Sequence, residues 1–245
     1  MIALVASQTL SQLLGQRRSV LMGLLALVPV LVAVLVRLLA ELEEDPREVA
    51  IGLVGGLVLN LVLPLVALVF GTAAIGQEIE DGTVVYLLTK PVARWRLFAG
   101  KVIAAWLATT VIVGTSAAVA AAILLVGRTA DLVLPAFVAA VAWGALCYVA
   151  LFACLSVRFA RALIIGLVYV FVWEATLSRF APGTRLFSVR QYTVSVVEAL
   201  AQTPARFVNA QLDTTTAVVM STAVVLVTCW YGVRLLGRYE LRERS

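Results

Sequence analysis

The chain has 245 residues, of which 62% are apolar and 13% charged, and its mean hydropathy is +1.04. A soluble domain carries about 25% charged residues, and one of this size cannot hide such an apolar surplus in a single core. The composition therefore excludes an ordinary soluble enzyme and predicts a chain whose natural solvent is lipid.

The net charge of +5 does not indicate nucleic-acid binding, because most of the nineteen Lys and Arg residues punctuate apolar runs instead of gathering on one face. The absence of histidine removes His-based metal sites and the His-dependent nucleophile systems. Cys147, Cys154 and Cys229 fall inside apolar stretches and are expected to be small hydrophobes, not a disulfide framework. We expect no catalytic residue and no metal site on this chain.

The first element, residues 1–18, is predicted to be an amphipathic helix. Leu10, Leu13 and Leu14 share a helical face, and Arg17 and Arg18 follow them. Such a helix can lie in the plane of the lipid headgroups. A solvated lead-in to the first span is the alternative.

Six apolar stretches are long enough to cross the roughly 30 Å of hydrocarbon, which takes about 20 residues. The sequence thus predicts an all-α integral membrane protein with six transmembrane helices. Pro29 and Pro64, inside the first and second stretches, are expected to kink or locally open those helices. The predicted spans are 19–39, 50–75, 98–126, 132–156, 162–178 and 216–236.

Charge asymmetry predicts the orientation of these spans. Placing both termini and the loops after the second and fourth spans on one side gives that side twelve of the nineteen Lys and Arg residues. Since positively charged loops are retained in the cytoplasm, both termini are predicted to be cytoplasmic. The first apolar run is too long for a secretory signal and is expected to be retained.

Two connections are unusual. The loop at 77–97 is long and polar, and residues 179–215 form a long outer segment before the last span. Part of that outer segment, 192–201, is too short to cross the bilayer and too apolar for an exposed loop. A re-entrant or interfacial helix is predicted there.

Residues 76–101, GQEIEDGTVVYLLTKPVARWRLFAGK, carry the most informative pattern. Gly82 permits a sharp turn, and Thr83 can cap a short helix that Pro91 ends. Arg94 then suits the headgroup region at the start of the third span. The residues predict a short cytoplasmic helix whose apolar face needs a partner. An inert loop with a positive flank is the alternative.

This pattern resembles the permease subunits of type-2 ABC exporters. In that family the stretch between the second and third spans reads approximately E-x-x-x-G-T-x-x-x-L-L-x-x-P-x-x-R, followed by G-K. The chain matches every specified position, with Glu78, Gly82, Thr83, Leu87, Leu88, Pro91, Arg94, Gly100 and Lys101. The amphipathic first helix, the six spans and the long outer segment are also similar to the family.

The resemblance implies one half of a transport channel that works with a separate ATPase chain. The short helix within the 77–97 loop would be the coupling helix, which seats in a groove of the ATPase. Its interface or hinges would comprise Glu78, Asp81, Gly82, Thr83, Tyr86, Leu87, Leu88, Pro91 and Arg94.

ATP and magnesium are expected on the partner, with no cofactor on this chain. Gly100-Lys101 is not the end of a phosphate-binding loop, because Trp95 stands where that loop needs Gly and Val102 where it needs Ser or Thr.

Polar groups at membrane depth indicate a pathway by default. Glu174 in the fifth span could face a cavity or bind a substrate cation. Its nearness to the outer end of the span and to Arg179 favours a plain interfacial charge.

Asn60 and Thr110 are the other pathway candidates. Asn60 lies one turn before Pro64, and helix–helix bonding is its alternative role. Thr110 belongs to a set of hydroxyl residues in the third span that usually bond carbonyls of their own helix. That set comprises Thr109, Thr110, Thr115 and Ser116.

The whole chain, 1–245, is predicted to be a single permease domain of an ATP-driven exporter. It would dimerise with itself or a homologous chain, recruit two ATPase subunits and move a hydrophobic or amphipathic substrate. A bias toward Leu, Val, Ala and Arg with only two lysines indicates a bacterial source and hence the inner membrane.

Three alternatives stay open at this point. A secondary transporter driven by an ion gradient predicts intramembrane acidic residues or inverted repeats, and only Glu174 fits. An intramembrane enzyme needs a nucleophile with a base, or a metal cluster. A subunit of the same fold that serves assembly or signalling, without transport, is compatible with the sequence.

Overall fold

The structure is a computed structural model that describes residues 2–15, 17–39, 46–80, 93–126, 133–177, 187–201 and 213–243. Every regular element in these ranges is helical, which confirms the all-α prediction. The α-helices are α1 (Ile2–Leu14), α2 (Arg17–Leu39), α3 (Pro46–Leu53), α4 (Leu63–Glu80), α5 (Arg94–Leu124), α6 (Val133–Arg158), α7 (Ala162–Val168), α8 (Val189–Ala201) and α9 (Thr214–Glu243). Two π-helical segments, Val54–Val62 and Tyr169–Leu177, continue α3 into α4 and extend α7.

Five helices in the described ranges are long and apolar enough to cross a membrane, which confirms a multi-pass membrane protein. They are Arg17–Leu39, Val49–Ile79, Arg94–Leu124, Val133–Arg158 and Thr214–Gly237. The stretch predicted as the fifth span, 162–178, contains a shorter apolar helix, Ala162–Glu174. At 1.5 Å per residue that helix is about 20 Å long, short of the roughly 30 Å of hydrocarbon. The six-span layout therefore stays a prediction.

Helix α6 forms the centre of the bundle and contacts α4, α5, α8 and α9. Most of its side chains are buried, including Phe137, Tyr148 and Phe152, and only its last residue and a short line that contains Pro135 and Ala139 are exposed. A helix that is hydrophobic all round is suited to such a position. The other helices are therefore arranged around α6.

Helix α2 lies at the periphery and packs against α5. It buries a narrow line of small residues that includes Ala26, Pro29 and Ala33, while Leu24 and Leu31 remain exposed. Small residues let two membrane helices approach closely, and the exposed leucines match a lipid solvent. Helix α9 exposes a similar apolar surface.

The opening predicted at Pro64 takes the form of the first π-helical segment, Val54–Val62. Pro64 has no N–H to donate to the preceding turn. Directly before it, the Leu63 N–H donates to the Val58 carbonyl, five residues back. The wider turn contains Asn60, and π turns in helices frequently occur at functional sites.

Helix α1 turns part of its predicted apolar face toward the bundle. Ala6, Thr9 and Leu13 are buried and Leu10 is half-buried, whereas Leu14 is 49% exposed. Residues 6, 9 and 13 are three and four positions apart and so share one side of the helix. The buried line 6–9–13 is the face that packs against α5.

In the outer segment, the structure describes a helix at Val189–Ala201. Helix α8 packs against α6 and α9 and buries Val189, Tyr192 and Val197. A Cβ atom added to Gly144 of α6 would lie 2.0 Å from Thr193 Cγ2, so this contact requires glycine. Helix α8 is thus an integral part of the bundle.

Candidate functional site

The side chains that flank residues 81–92 form the first candidate site. Helix α4 ends just before this segment, and α5 begins just after it. Lys101 Nζ lies 2.5 Å from Glu78 Oε1 and donates a second bond, of 2.9 Å, to the Ala74 carbonyl. We call Glu78, Arg94, Gly100 and Lys101 the loop junction.

The ion pair of the loop junction is partly shielded from solvent. The side chain of Lys101 is 3% exposed and that of Glu78 is 22% exposed. A buried ammonium is tolerated only when charged and hydrogen-bonding partners compensate for its lost hydration. The ion pair therefore joins the end of α4 to the beginning of α5, close to the two points where residues 81–92 connect to these helices.

Gly100 gives α1 its place at the loop junction. A Cβ atom at this position would lie 3.0 Å from Val5 Cγ1 and 3.2 Å from the Ile2 carbonyl oxygen. The absence of a side chain at residue 100 therefore lets α1 pack closely against α5. In the G-K pair of the motif, Gly100 thus contacts α1, and Lys101 bonds the end of α4.

The last helix, α9, also contacts the beginning of α5. The Arg94 guanidinium donates a 3.4 Å hydrogen bond to the Gly237 carbonyl. A Cβ atom at Gly232 would lie 2.5 Å from Phe98 Cζ, so this approach also requires glycine. Three helices that are distant in sequence, α1, α4 and α9, thus meet the start of α5.

Most of the residues assigned to the coupling helix lie outside the described residues. Of that set the structure places Glu78 and Arg94, both at the loop junction. The others stay a prediction from the motif: Asp81, Gly82, Thr83, Tyr86, Leu87, Leu88 and Pro91.

Two pathway candidates carry buried polar atoms with no hydrogen-bond partner among the described residues. These atoms are Asn60 Oδ1, in the first π-helical segment, and Thr110 Oγ1, in the middle of α5. The neighbouring hydroxyl of Thr109 donates to Ala105 of its own helix, as the sequence predicts, but that of Ser116 donates to Ala26 of α2. An unsatisfied polar atom at membrane depth is costly, so Asn60 and Thr110 keep their place as pathway candidates.

Glu174 is a buried residue, whereas its position in the sequence favours a plain interfacial charge. It is 3% exposed, in the second π-helical segment. Tyr148 donates a hydrogen bond to its Oε2 atom, and the Arg190 N–H donates one of 3.2 Å to Oε1. The Tyr169 hydroxyl lies 3.3 Å from the same Oε1 and 3.2 Å from the Phe187 carbonyl.

This polar cluster of Tyr148, Tyr169, Glu174 and Arg190 connects α6, the extension of α7 and the first turn of α8. The backbone N–H of Arg190 lies in the first turn of α8, where N–H groups have no acceptor within the helix and a carboxylate is favourable. The carboxylate of Glu174 thus bonds the N-terminal end of α8, and its role as a pathway candidate stays a prediction.

An apolar cavity of about 710 Å³ lies beside this cluster, between α6, α8 and α9. Its lining includes the aromatic side chains of Tyr169, Trp173, Phe187 and Tyr192, together with Met220. Such a cavity accepts apolar or amphipathic molecules and offers little to a small ion.

Sequence reasoning missed the ion pair, the polar cluster and this cavity. One signal for the cavity was present, because Tyr169 and Trp173 are four residues apart and so share one helical face. Lys101 was assigned only as a motif position, although a lysine seven residues inside an apolar helix demands a partner.

Comparison with protein families matches residues 16–173 to the family described as ABC-2 family transporter protein. The matched region runs from the start of α2 to the second π-helical segment and includes the loop junction. No curated protein matches the chain.

Proposed function

The chain belongs to the family of ABC-2 transporter proteins, and from this premise we propose that it is the permease subunit of an ATP-driven exporter. The subunit is non-catalytic, and ATP is hydrolysed with magnesium on a separate ATPase chain. Movement of the ATPase pair reaches the spans through the segment at 81–92 and switches access between the two sides.

The observation that carries this coupling role is the loop junction. A force applied to the segment at 81–92 acts on α4 and α5 together, because the Glu78–Lys101 ion pair joins them at its base. Through Gly100 and Arg94 the same point contacts α1 and α9. The junction can therefore move several helices as one body.

The substrate that we propose is hydrophobic or amphipathic. The cavity beside Tyr169 and Trp173 is lined mainly by apolar and aromatic groups, which supports this class over a small ion. We further propose a dimer, of two copies or with a homologous chain, in the bacterial inner membrane with both termini in the cytoplasm.

The test is co-purification of the tagged chain in mild detergent, followed by an assay of ATP hydrolysis in the recovered complex. We expect an ABC ATPase subunit to co-purify with the unaltered chain. The double variant Glu78→Ala/Leu87→Asp should lose that subunit and its ATP hydrolysis, since it breaks the junction and places a charge on the predicted coupling helix.

The matched control is Glu198→Ala/Leu200→Asp, which makes the same two kinds of substitution on α8. It should keep the ATPase. Recovery of the unaltered chain alone, or equal loss of the ATPase in both double variants, would refute coupling through the 81–92 segment.

A carrier driven by an ion gradient is the second candidate, and the buried carboxylate of Glu174 is the observation that favours it. Proteoliposomes distinguish the two mechanisms. Uptake of a labelled amphipath that needs ATP and persists with a protonophore supports the exporter, whereas uptake that collapses with the ion gradient supports the carrier.

A further inference from the structure

A second cavity, of about 350 Å³, lies at the same end of the bundle as the loop junction. Its wall includes Ile79, the residue directly after Glu78, together with Arg18 at the start of α2 and Arg161 in the turn between α6 and α7. The ends of four helices, α2, α4, α6 and α7, therefore surround it.

Two arginines give this cavity a positive charge. Arg18 and Arg161 both line it, both are exposed, and neither forms an ion pair with an acidic residue among those that the structure describes. Arg158, at the end of α6, adds a third guanidinium close by in the chain. Guanidinium groups present planar pairs of N–H donors that fit phosphate oxygens.

The same cavity continues into an apolar surface. Leu163 and Ile164 line it and are 39% and 55% exposed, at the start of α7. A ligand that uses both parts must carry an anionic head and an apolar tail. A free phosphate would use only the arginines.

We propose that this cavity binds one anionic phospholipid, with its phosphate between Arg18 and Arg161 and an acyl chain along Leu163 and Ile164. Basic pockets between membrane helices are known to hold anionic headgroups. The lipid comes from the leaflet at this end of the bundle, which is the cytoplasmic leaflet in the orientation proposed above. The binding itself does not depend on the transport function.

The test uses the full chain in nanodiscs that contain phosphatidylglycerol and phosphatidylcholine, and native mass spectrometry counts the lipids that stay bound. We expect the unaltered chain to retain phosphatidylglycerol selectively. Arg18→Gln/Arg161→Gln should weaken that binding roughly 30-fold, since each basic residue near the surface contributes about a five-fold factor. Arg18→Lys/Arg161→Lys should keep most of it.

The charge-matched control is Arg96→Gln/Arg234→Gln, which removes two exposed arginines outside the cavity and should leave lipid retention unchanged. Equal retention in this control and in Arg18→Gln/Arg161→Gln would overturn the proposal, as would equal retention of the two lipids. Displacement of the bound lipid by millimolar inorganic phosphate would overturn the lipid as the ligand and assign the site to a soluble anion.

Discussion

A lysine inside a membrane helix is tolerated only with a partner, and in this chain Glu78 and the Ala74 carbonyl serve Lys101. The two charges of the pair are not equivalent. The side chain of Lys101 is 3% exposed, whereas that of Glu78 is 22% exposed. Removal of the Glu78 carboxylate therefore leaves a buried lysine without its charged partner. Removal of Lys101 leaves a glutamate side chain that is partly exposed, which costs less.

We expect Glu78→Gln to lower the free energy of unfolding by about 3 kcal/mol, near the lower end of the cost of breaking a buried ion pair. Lys101→Met should cost less, and Glu78→Gln/Lys101→Met should be more stable than Glu78→Gln alone. Unfolding by denaturing detergent in mixed micelles measures these differences, with Glu198→Gln as the control. Strictly additive effects of the two substitutions would show that the pair contributes no stability.

The residues of the motif could be identified from the sequence, but their contacts could not. Glu78 and Lys101 are both motif positions, yet nothing in the spacing states that their side chains meet. The position of Glu174 was misjudged for the same physical reason. Its burial depends on Tyr148, 26 residues earlier, and on Arg190, 16 residues later, which a local hydropathy pattern does not register.

At the scale of elements, one hydroxyl joins two helices beside a proline. Pro29 removes the N–H that would bond the Leu25 carbonyl of α2, and at the next residue the Ser116 hydroxyl of α5 donates to the Ala26 carbonyl. Hydrogen bonds from serine hydroxyls connect neighbouring membrane helices. They also fix α5 against α2 at one register.

We expect Ser116→Ala to lower the free energy of unfolding by about 0.6 to 1.7 kcal/mol, which are the average and the maximum measured for hydrogen bonds between membrane helices. Thr115→Ala is the control, because the exposed Thr115 hydroxyl donates to Val111 of its own helix and should contribute little. Both are measured by detergent unfolding. Equal effects of the two substitutions would mean that the bond between α5 and α2 is not stabilising.

Glycine placement leads to a second prediction at this scale. A methyl group at Gly144 would collide with Thr193 of α8, whereas one at Gly114 of α5 meets nothing within 4 Å. Gly144→Ala should therefore destabilise the bundle by about 1–3 kcal/mol, the cost of overpacking. Gly114→Ala should be neutral or stabilise by up to about 1 kcal/mol through its helix propensity. Thermal unfolding in detergent compares them, and an unaltered midpoint for Gly144→Ala would contradict the close contact with α8.

Hydropathy located the long helices well, because each needs an uninterrupted apolar run whatever its neighbours are. It did not locate the buried face of α1, which depends on where α5 lies, nor the π-helical form of Val54–Val62 and Tyr169–Leu177. Both depend on tertiary packing and on hydrogen bonds that composition does not specify. The helix at Val189–Ala201 was expected to be re-entrant or interfacial, and its packing against α6 and α9 is a finding of the structure.

At the scale of the whole molecule, the short helix Ala162–Glu174 decides the topology. If this helix and the rest of the π-helical segment, up to Leu177, cross the bilayer, the two termini lie on the same side. If they do not cross, the termini lie on opposite sides. Positive charge at the Arg158–Arg161 turn and at the C-terminal end of the chain, where Arg234, Arg238, Arg242 and Arg244 lie, favours the same side for both.

We expect reporter fusions at either terminus to give cytoplasmic signals, with fluorescence for a cytoplasmic reporter and no activity for one that needs export. A third fusion in the segment 202–212 should report the outer side. Termini on opposite sides would show that Ala162–Glu174 does not cross and that the chain has five spans.

The central position of α6 constrains how the chain is made. The ribosome delivers α2, α4 and α5 first, so the faces that will hold α6 are covered by lipid chains until α6 emerges. Those faces are mostly small and aliphatic, and lipid covers them without penalty. The Glu174 carboxylate differs from these apolar faces, because the Arg190 N–H that donates a hydrogen bond to it is made only with α8. A nascent chain that stalls before α8 would therefore hold the Glu174 carboxylate in the membrane without the Arg190 N–H donor. This polar group is a feature by which quality-control proteases can distinguish an unfinished subunit from a finished one.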